Sequence, residues 1–203
     1  MTEPADFFTV VRTQRAHRAF TDDPVPDELV ERVLETATFA PSAENMQPWV
    51  FIVVRDPAAR ARIGELNRRA WEGGGREFSR PRLSPGMFEK VEAGATGGIA
   101  DAPVLIVVCG DTSHAVEAVL EASVWPAVQN LLLAAHALGI GSALTTITTV
   151  FGDELRSLLS LPDHVRPLAV VPLGWPAKAL GPPRRVPVGE KTFRERYGTP
   201  WTR

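Results

Sequence analysis

The sequence is poor in several things, and each shortage excludes something. Cys109 is the only cysteine among 203 residues, so no internal disulfide can form. Its place in the apolar run Pro103–Cys109 reads as a buried, inert thiol of a reducing compartment. No Lys/Arg run exceeds two residues, and 22 Lys and Arg stand against 24 Asp and Glu, a formal charge of −2. That leaves no electrostatic footprint for a phosphate backbone, so no nucleic-acid partner is expected. Uninterrupted apolar stretches fall far short of the roughly 20 residues that cross a bilayer. Met1–Val10 carries Glu3 and Asp6 with no basic residue before Arg12. The expectation is a cytoplasmic chain with no signal peptide, membrane anchor or membrane partner.

Familiar catalytic signatures are missing too. There is no P-loop, no H-E-x-x-H, no C-x-x-C and no G-x-S-x-G. Gly139-Ile140-Gly141 lacks the preceding strand and third glycine of a dinucleotide fingerprint. His17, His114, His136 and His164 are scattered, and each reads more readily as a solvated or core histidine than as a chemical group.

What is present is a chain 44% apolar and 23% charged, which suits one folded domain over residues 1–203. Asp27 reads as a helix cap before Glu28–Ala40, where Leu29, Val30, Val33, Leu34 and Ala37 recur at helical spacing and Pro41 forces a stop. Trp49–Val54 is a run of aromatic and β-branched residues, the pattern of a buried strand; Ala102–Cys109 and Val165–Gly174 are two more. Pro57–Arg69 suits a surface helix and Asp153–Leu159 a short one, with Ser142–Thr149 a short strand or loop between polar and apolar residues. Trp71–Ala100 is broken by Gly73-Gly74-Gly75, Pro81, Pro85, Gly94 and Gly97-Gly98, so a flap with little regular order is expected there. Glu117–Leu138 has little charge beyond its first turn; a helix apolar on all sides must be buried on all sides, most easily by dimerisation. The residues after Trp175 suit an extended arm. Helices mixed with a few strands indicate an α+β sandwich.

Three clusters could carry chemistry. Arg12, Arg15, His17 and Arg18 crowd one short stretch and could converge on an anion, although a solvated basic helix face explains the same spacing. The loop Pro41–Pro48 places Ser42, Asn45 and Gln47 between a helix and a strand, where they could hydrogen-bond a heteroaromatic ring or merely satisfy the loop itself. Arg184-Arg185 could meet the first cluster if the arm folds back.

The blocks Arg15-Ala16-His17-Arg18-Ala19-Phe20, Ala40–Phe51 (with Pro41-Ser42, Asn45, Gln47-Pro48-Trp49), Gln129–Gly141 and Val170–Gly174 together resemble the FMN-dependent nitroreductase family. The resemblance implies a nitroreductase-like three-layer α-β-α sandwich, homodimeric with an extended C-terminal arm, with FMN held by both chains at the interface. By that resemblance Arg15 and Arg18, with His17 in the same motif, meet the FMN phosphate and the polar edge of the ring, and Arg184 and Arg185 supply a second phosphate ligand. Pro41, Ser42 and Asn45 approach from the partner chain, with Gln47 supporting the loop. Leu144, Thr145 and Thr146 lay backbone against the ring and give an N–H to flavin N5. No side chain is then catalytic and no metal is needed. The activity implied is hydride transfer from NAD(P)H through FMN to a small electron-poor acceptor, a nitroaromatic or quinone, by a ping-pong mechanism, with residues 71–100 covering the substrate side. The same family holds dehalogenation, flavin destruction and dehydrogenation, and a non-catalytic flavin-binding protein or a structural dimerisation module are the alternatives from other classes. Gln14, Ala16 and Glu44 depart from the family pattern, which has arginine, serine and glycine there.

Overall fold

Every residue of strand β2 (Val104–Asp111) from Val104 to Cys109 is fully buried, and alternate side chains pass to opposite faces of the sheet. In this computed structural model, which describes residues 6–201, that alternation divides the interior into two cores. Val104, Ile106 and Val108 meet α2 (Asp27–Thr38) through Val30, Val33 and Ala37, and α6 (Glu117–Ala137) through Val124, Val128 and Leu131. Leu105, Val107 and Cys109 face the other way, toward Ile63 and Leu66 of α3 (Pro57–Ala70) and Leu155 of α7 (Gly152–Leu158). Helix, sheet and helix form the three layers expected. Part of the Met1–Val10 reading, residues 1–5, lies outside the described residues.

The sheet has the order β1-β2-β4-β3, with β1 (Trp49–Val54), β4 (Val165–Gly174) and a two-residue β3 (Gly141–Ser142), all antiparallel. Trp49 pairs with Gly110 and Val104 with Leu173, with a bulge at Val108/Cys109. Gly110 is dictated by packing, because a Cβ there would lie 2.8 Å from the Leu120 side chain.

Helix α6 is long and apolar enough by itself to span a bilayer, yet nine of its residues are buried against the sheet, α2 and its surroundings, which makes it the core helix of this chain. Much of the burial that the sequence assigned to a partner is therefore internal. Gly139 ends the helix at φ +78°, a left-handed turn for which glycine is suited.

Segment 71–100 differs from the expectation of irregular structure. It is helical almost throughout, with α4 (Arg76–Ser79), a 3-10 turn at Arg80–Arg82 and α5 (Pro85–Ala93). The glycines sit in two π-helical turns, Trp71–Gly75 and Gly94–Gly98. Several are steric requirements: a Cβ on Gly75 would lie 2.4 Å from Ile147 Cδ1. Trp71 is buried with its ring 5.7 Å from that of Phe88. From Ala177 onward the described chain has no helix beyond the 3-10 turn Val188–Glu190, and most of it is exposed.

Candidate functional site

Helix α1 (Phe7–Thr13), absent from the sequence reading, is capped by Asp6, whose carboxylate accepts from the amides of Phe8 and Thr9 at 3.0 and 3.2 Å. The chain then runs past β3, where His17 N–H donates to Ser142 O at 2.8 Å and Ala16 bridges Ser142. That docking sorts the basic cluster. His17 is buried; burial first, then the charges of His136 and Arg15, push its pKa below the ordinary 6.5. Arg18 is half-buried, and desolvation pushes its pKa down as well.

Arg18 has no hydrogen bond or ion pair among the described residues. The arginines of α3 and α7 contrast with it: Arg68 pairs with Glu65 and Glu72, Arg69 with Glu154, and Arg156 with Asp163. That leaves Arg18, a half-buried cation, available to an anion from outside this chain. Two glycines leave room for it, one at its side chain and one at its backbone. A Cβ on Gly94 would lie 2.4 Å from Arg18 Cδ, and one on Gly98 would lie 2.0 Å from the Arg18 carbonyl oxygen. Ser142 Oγ, on the strand that Ala16 and His17 meet, is buried with no hydrogen-bond partner among the described residues.

The two ends of the chain meet here. Arg15 donates to the Gly181 carbonyl at 2.5 Å, and Ala177 N–H donates to Ala19 O at 3.1 Å. Arg185 donates to the Arg184 carbonyl at 3.0 Å. None of Arg15, Arg184 and Arg185 pairs with a carboxylate among the described residues.

The loop after α2 is satisfied largely from within. Ser42 Oγ accepts from Gln47 N–H at 3.0 Å, Asn45 N–H donates to Ser42 O at 3.1 Å, and the Gln47 amide donates to Asn45 O at 3.4 Å. Glu44, Asn45 and Gln47 all have left-handed backbones, with φ of 51°, 57° and 52°. Ser123 of α6 anchors the loop by accepting from Ala43 N–H at 3.1 Å. Pro41, Asn45 and Gln47 are exposed, and no hydrogen bond among the described residues joins them to Arg15, Arg18, Arg184 or Arg185.

The third expected element, Leu144–Thr146, follows β3. Thr145 exchanges both backbone bonds with Val170, N–H to O at 3.0 Å and O from N–H at 2.8 Å. Its amide is therefore engaged, which leaves the exposed Leu144 and Thr146 as the backbone presented outward. Ser123, Ser142 and Asn67 escaped the sequence reading. Asn67 could have been noticed, because it stands on the apolar stripe Ile63, Leu66, Ala70 of α3, where a polar side chain needs a buried partner.

The family model described as Nitroreductase family matches residues 11–175. An archaeal protein of Methanothermobacter thermautotrophicus, provisionally named NADH dehydrogenase/NAD(P)H nitroreductase, is 34% identical over 179 residues, covering 87% of this chain and 80% of its own. An iodotyrosine deiodinase of Haliscomenobacter hydrossis is 30% identical over 189 residues, covering 88% and 82%. A crystal structure of a provisionally named nitroreductase in complex with FMN, from Desulfovibrio desulfuricans, superposes with a TM-score of 0.73 at 26% identity over 96% of this chain and 99% of that one.

Proposed function

Because this chain belongs to the nitroreductase family, we propose that it is an FMN-dependent oxidoreductase that takes hydride from NAD(P)H and reduces a small electron-poor acceptor, a nitroaromatic or quinone, by a ping-pong mechanism. The observation that carries the reading is Arg18, a half-buried cation with no hydrogen bond or ion pair among the described residues, with Gly94 against its side chain and Gly98 against its backbone carbonyl. These features fit a planar, polar-edged anionic cofactor.

Arg15, Arg184 and Arg185 would neutralise the phosphate, with the Gly181 contact holding the C-terminal segment against the N-terminal one. Arg18 would sit at the polar edge of the ring and favour negative charge there. His17, buried and packed at β3, fixes the backbone between the two arginines. Leu144 and Thr146 would offer backbone toward the ring. FMN held by these residues would supply the redox chemistry, as a carrier between the nicotinamide and the acceptor. The residues named bind, orient and exclude water; none has to transfer a proton.

We place a second copy of the chain against this one. Phe7, Phe8, Phe39, Leu144, Val186 and Val188 are exposed, and such surface in one molecule favours association. In that arrangement Pro41, Ser42 and Asn45 would reach the partner's cofactor from a loop that Gln47 and Ser123 hold rigid. Residues 71–100 would border the acceptor, and the chain would act in the cytoplasm.

Initial-rate measurements with NADH and menadione test the reading. Ping-pong turnover gives parallel double-reciprocal lines; intersecting lines contradict that mechanism. The identity to the Haliscomenobacter deiodinase favours reductive dehalogenation as a second reading. Deiodination of iodotyrosine under reducing conditions would establish it.

A further inference from the structure

Resting on the reading above, we propose that Asn67 is a positioning residue that sets the cofactor-facing loop Leu144–Thr146 and ties it to the π turn that clasps Arg18.

Asn67 is fully buried on α3. Its amide Nδ2 donates to the Ala95 carbonyl at 2.9 Å, and its Oδ1 accepts from the hydroxyls of Thr148 at 2.9 Å and Thr145 at 3.3 Å. One side chain therefore joins three segments distant in sequence. Ala95 belongs to the π turn Gly94–Gly98, whose two end glycines make room for Arg18. Thr145 and Thr148 lead into and begin the 3-10 turn Ile147–Phe151.

Thr145 is held by its backbone pair with Val170, and Thr148 is the second residue of the 3-10 turn that starts at Ile147. Thr145 and Thr148 turn inward to Asn67, whereas Thr146 and Thr149 turn outward and line a cavity of about 660 Å³ opposite Trp125. Thr149 Oγ1 donates to Thr146 O at 2.7 Å and stiffens the outer face. Asn67 thus holds the inward pair, Thr145 and Thr148, from behind the loop. An apolar residue of the same size would strand two hydroxyls and a carbonyl in a dry interior, whereas a carboxylate would lose the donor to Ala95. Both walls of the proposed cofactor site, the Arg18 clasp and the Leu144–Thr146 loop, are held from behind by this amide.

Replacing Asn67 itself risks the fold, so the test uses Thr148. Thr148→Val keeps the shape and removes the hydroxyl, and Thr148→Ser keeps the hydroxyl and removes a methyl. Amide hydrogen exchange of the cofactor-free protein is read at residues 94–98 and 144–149. The proposal expects Thr148→Val to speed exchange in both segments by roughly tenfold and Thr148→Ser to leave both near wild type. The reverse order would mean that packing alone matters, and a change confined to 144–149 would mean that no tie to the π turn exists; either overturns the proposal. With FMN added, Thr148→Val should shift the bound-flavin absorption band and weaken affinity by roughly tenfold, with Thr148→Ser restoring both. An unchanged spectrum and affinity for Thr148→Val overturns the positioning role. If wild-type protein takes up no FMN, the functional reading falls, and the exchange data then decide the tie alone.

Discussion

Arg15 donates a hydrogen bond to the carbonyl of Gly181 at 2.5 Å, closing the C-terminal segment onto the N-terminal basic stretch. Sequence reading expected these regions to meet through guanidinium groups around one anion. The direct link is instead a cation on a backbone carbonyl, which leaves Arg15 without a carboxylate and free to serve an anion as well. Arg15→Ala is expected to weaken FMN retention by about 1.5 to 3 kcal/mol, the worth of a lost charged hydrogen bond. It should also expose the segment after Gly181 to trypsin at Arg184 and Arg185 while the melting temperature changes little. Fluorescence titration with FMN and timed proteolysis check both.

The Arg18 clasp predicts an effect at a residue that touches no ligand. Gly98→Ala drives a Cβ to 2.0 Å from the Arg18 carbonyl, and backbone must move to relieve it. A loss of about 1 to 3 kcal/mol of stability is expected, accompanied by weaker FMN binding. Gly73→Ala, with nothing within 4 Å of its Cβ, is the control and should be nearly silent. Urea denaturation of the two variants measures the difference.

Glu44 occupies a left-handed position, φ 51°, where the family pattern has glycine. L-residues pay roughly 1 to 2 kcal/mol in that region, partly offset by the greater freedom of glycine in the unfolded chain. Glu44→Gly should therefore stabilise the protein by about 0.5 to 1 kcal/mol, read as a higher urea midpoint at unchanged slope.

His17 and His136 both have pKa values pushed below 6.5, in each case first by burial. Their unfolded forms bind protons more readily than their folded forms. Stability from this source is fully present above about pH 6.5 and is lost as pH falls through the lower folded values. Asp111 titrates in a separate, more acidic window: hydrogen bonds from Ser113 hold it at about 2, so its contribution is complete above its ordinary 3.8 and lost below that. Thermal melts from pH 8 to pH 4 should show the histidine slope first, flattened in His17→Leu.

Strand β4 was legible end to end, because Val165–Gly174 is apolar, β-branched and bounded by a clear stop. The bounds of β1 were legible too, but as an edge strand it is mostly half-buried instead of buried on both faces, and α2 takes in Asp27, which the sequence offered as its cap, and ends at Thr38. Strand β2 shifted by two residues at each end, since Ala102 and Pro103 pack without joining the ladder, whereas Gly110 and Asp111 pair with Arg166 and Val165. The helices of 71–100 were hidden by glycine clusters that look like flexibility in sequence and serve close packing in the fold. Arg15 and Arg18 were legible as a basic cluster, although a solvated helix face explained their spacing equally, and the Pro41–Pro48 loop as a polar one. What sets Arg18 apart, half-burial without an anion partner among the described residues, depends on long-range packing that no local pattern encodes. Asn67 was missed although it stands on the apolar stripe of α3, because two surface arginines follow it directly.

The central claim is that this chain holds FMN on unpaired arginines. The most direct test is titration of the purified, flavin-free protein with FMN, followed by visible absorption and separation of bound from free cofactor. The account predicts saturation at one FMN per chain, loss of most of the affinity in Arg18→Ala, and bleaching of the bound flavin by NADH or NADPH in the absence of oxygen. A protein that remains colourless after FMN is added and removed, or one whose FMN binding is untouched by Arg18→Ala, would contradict it.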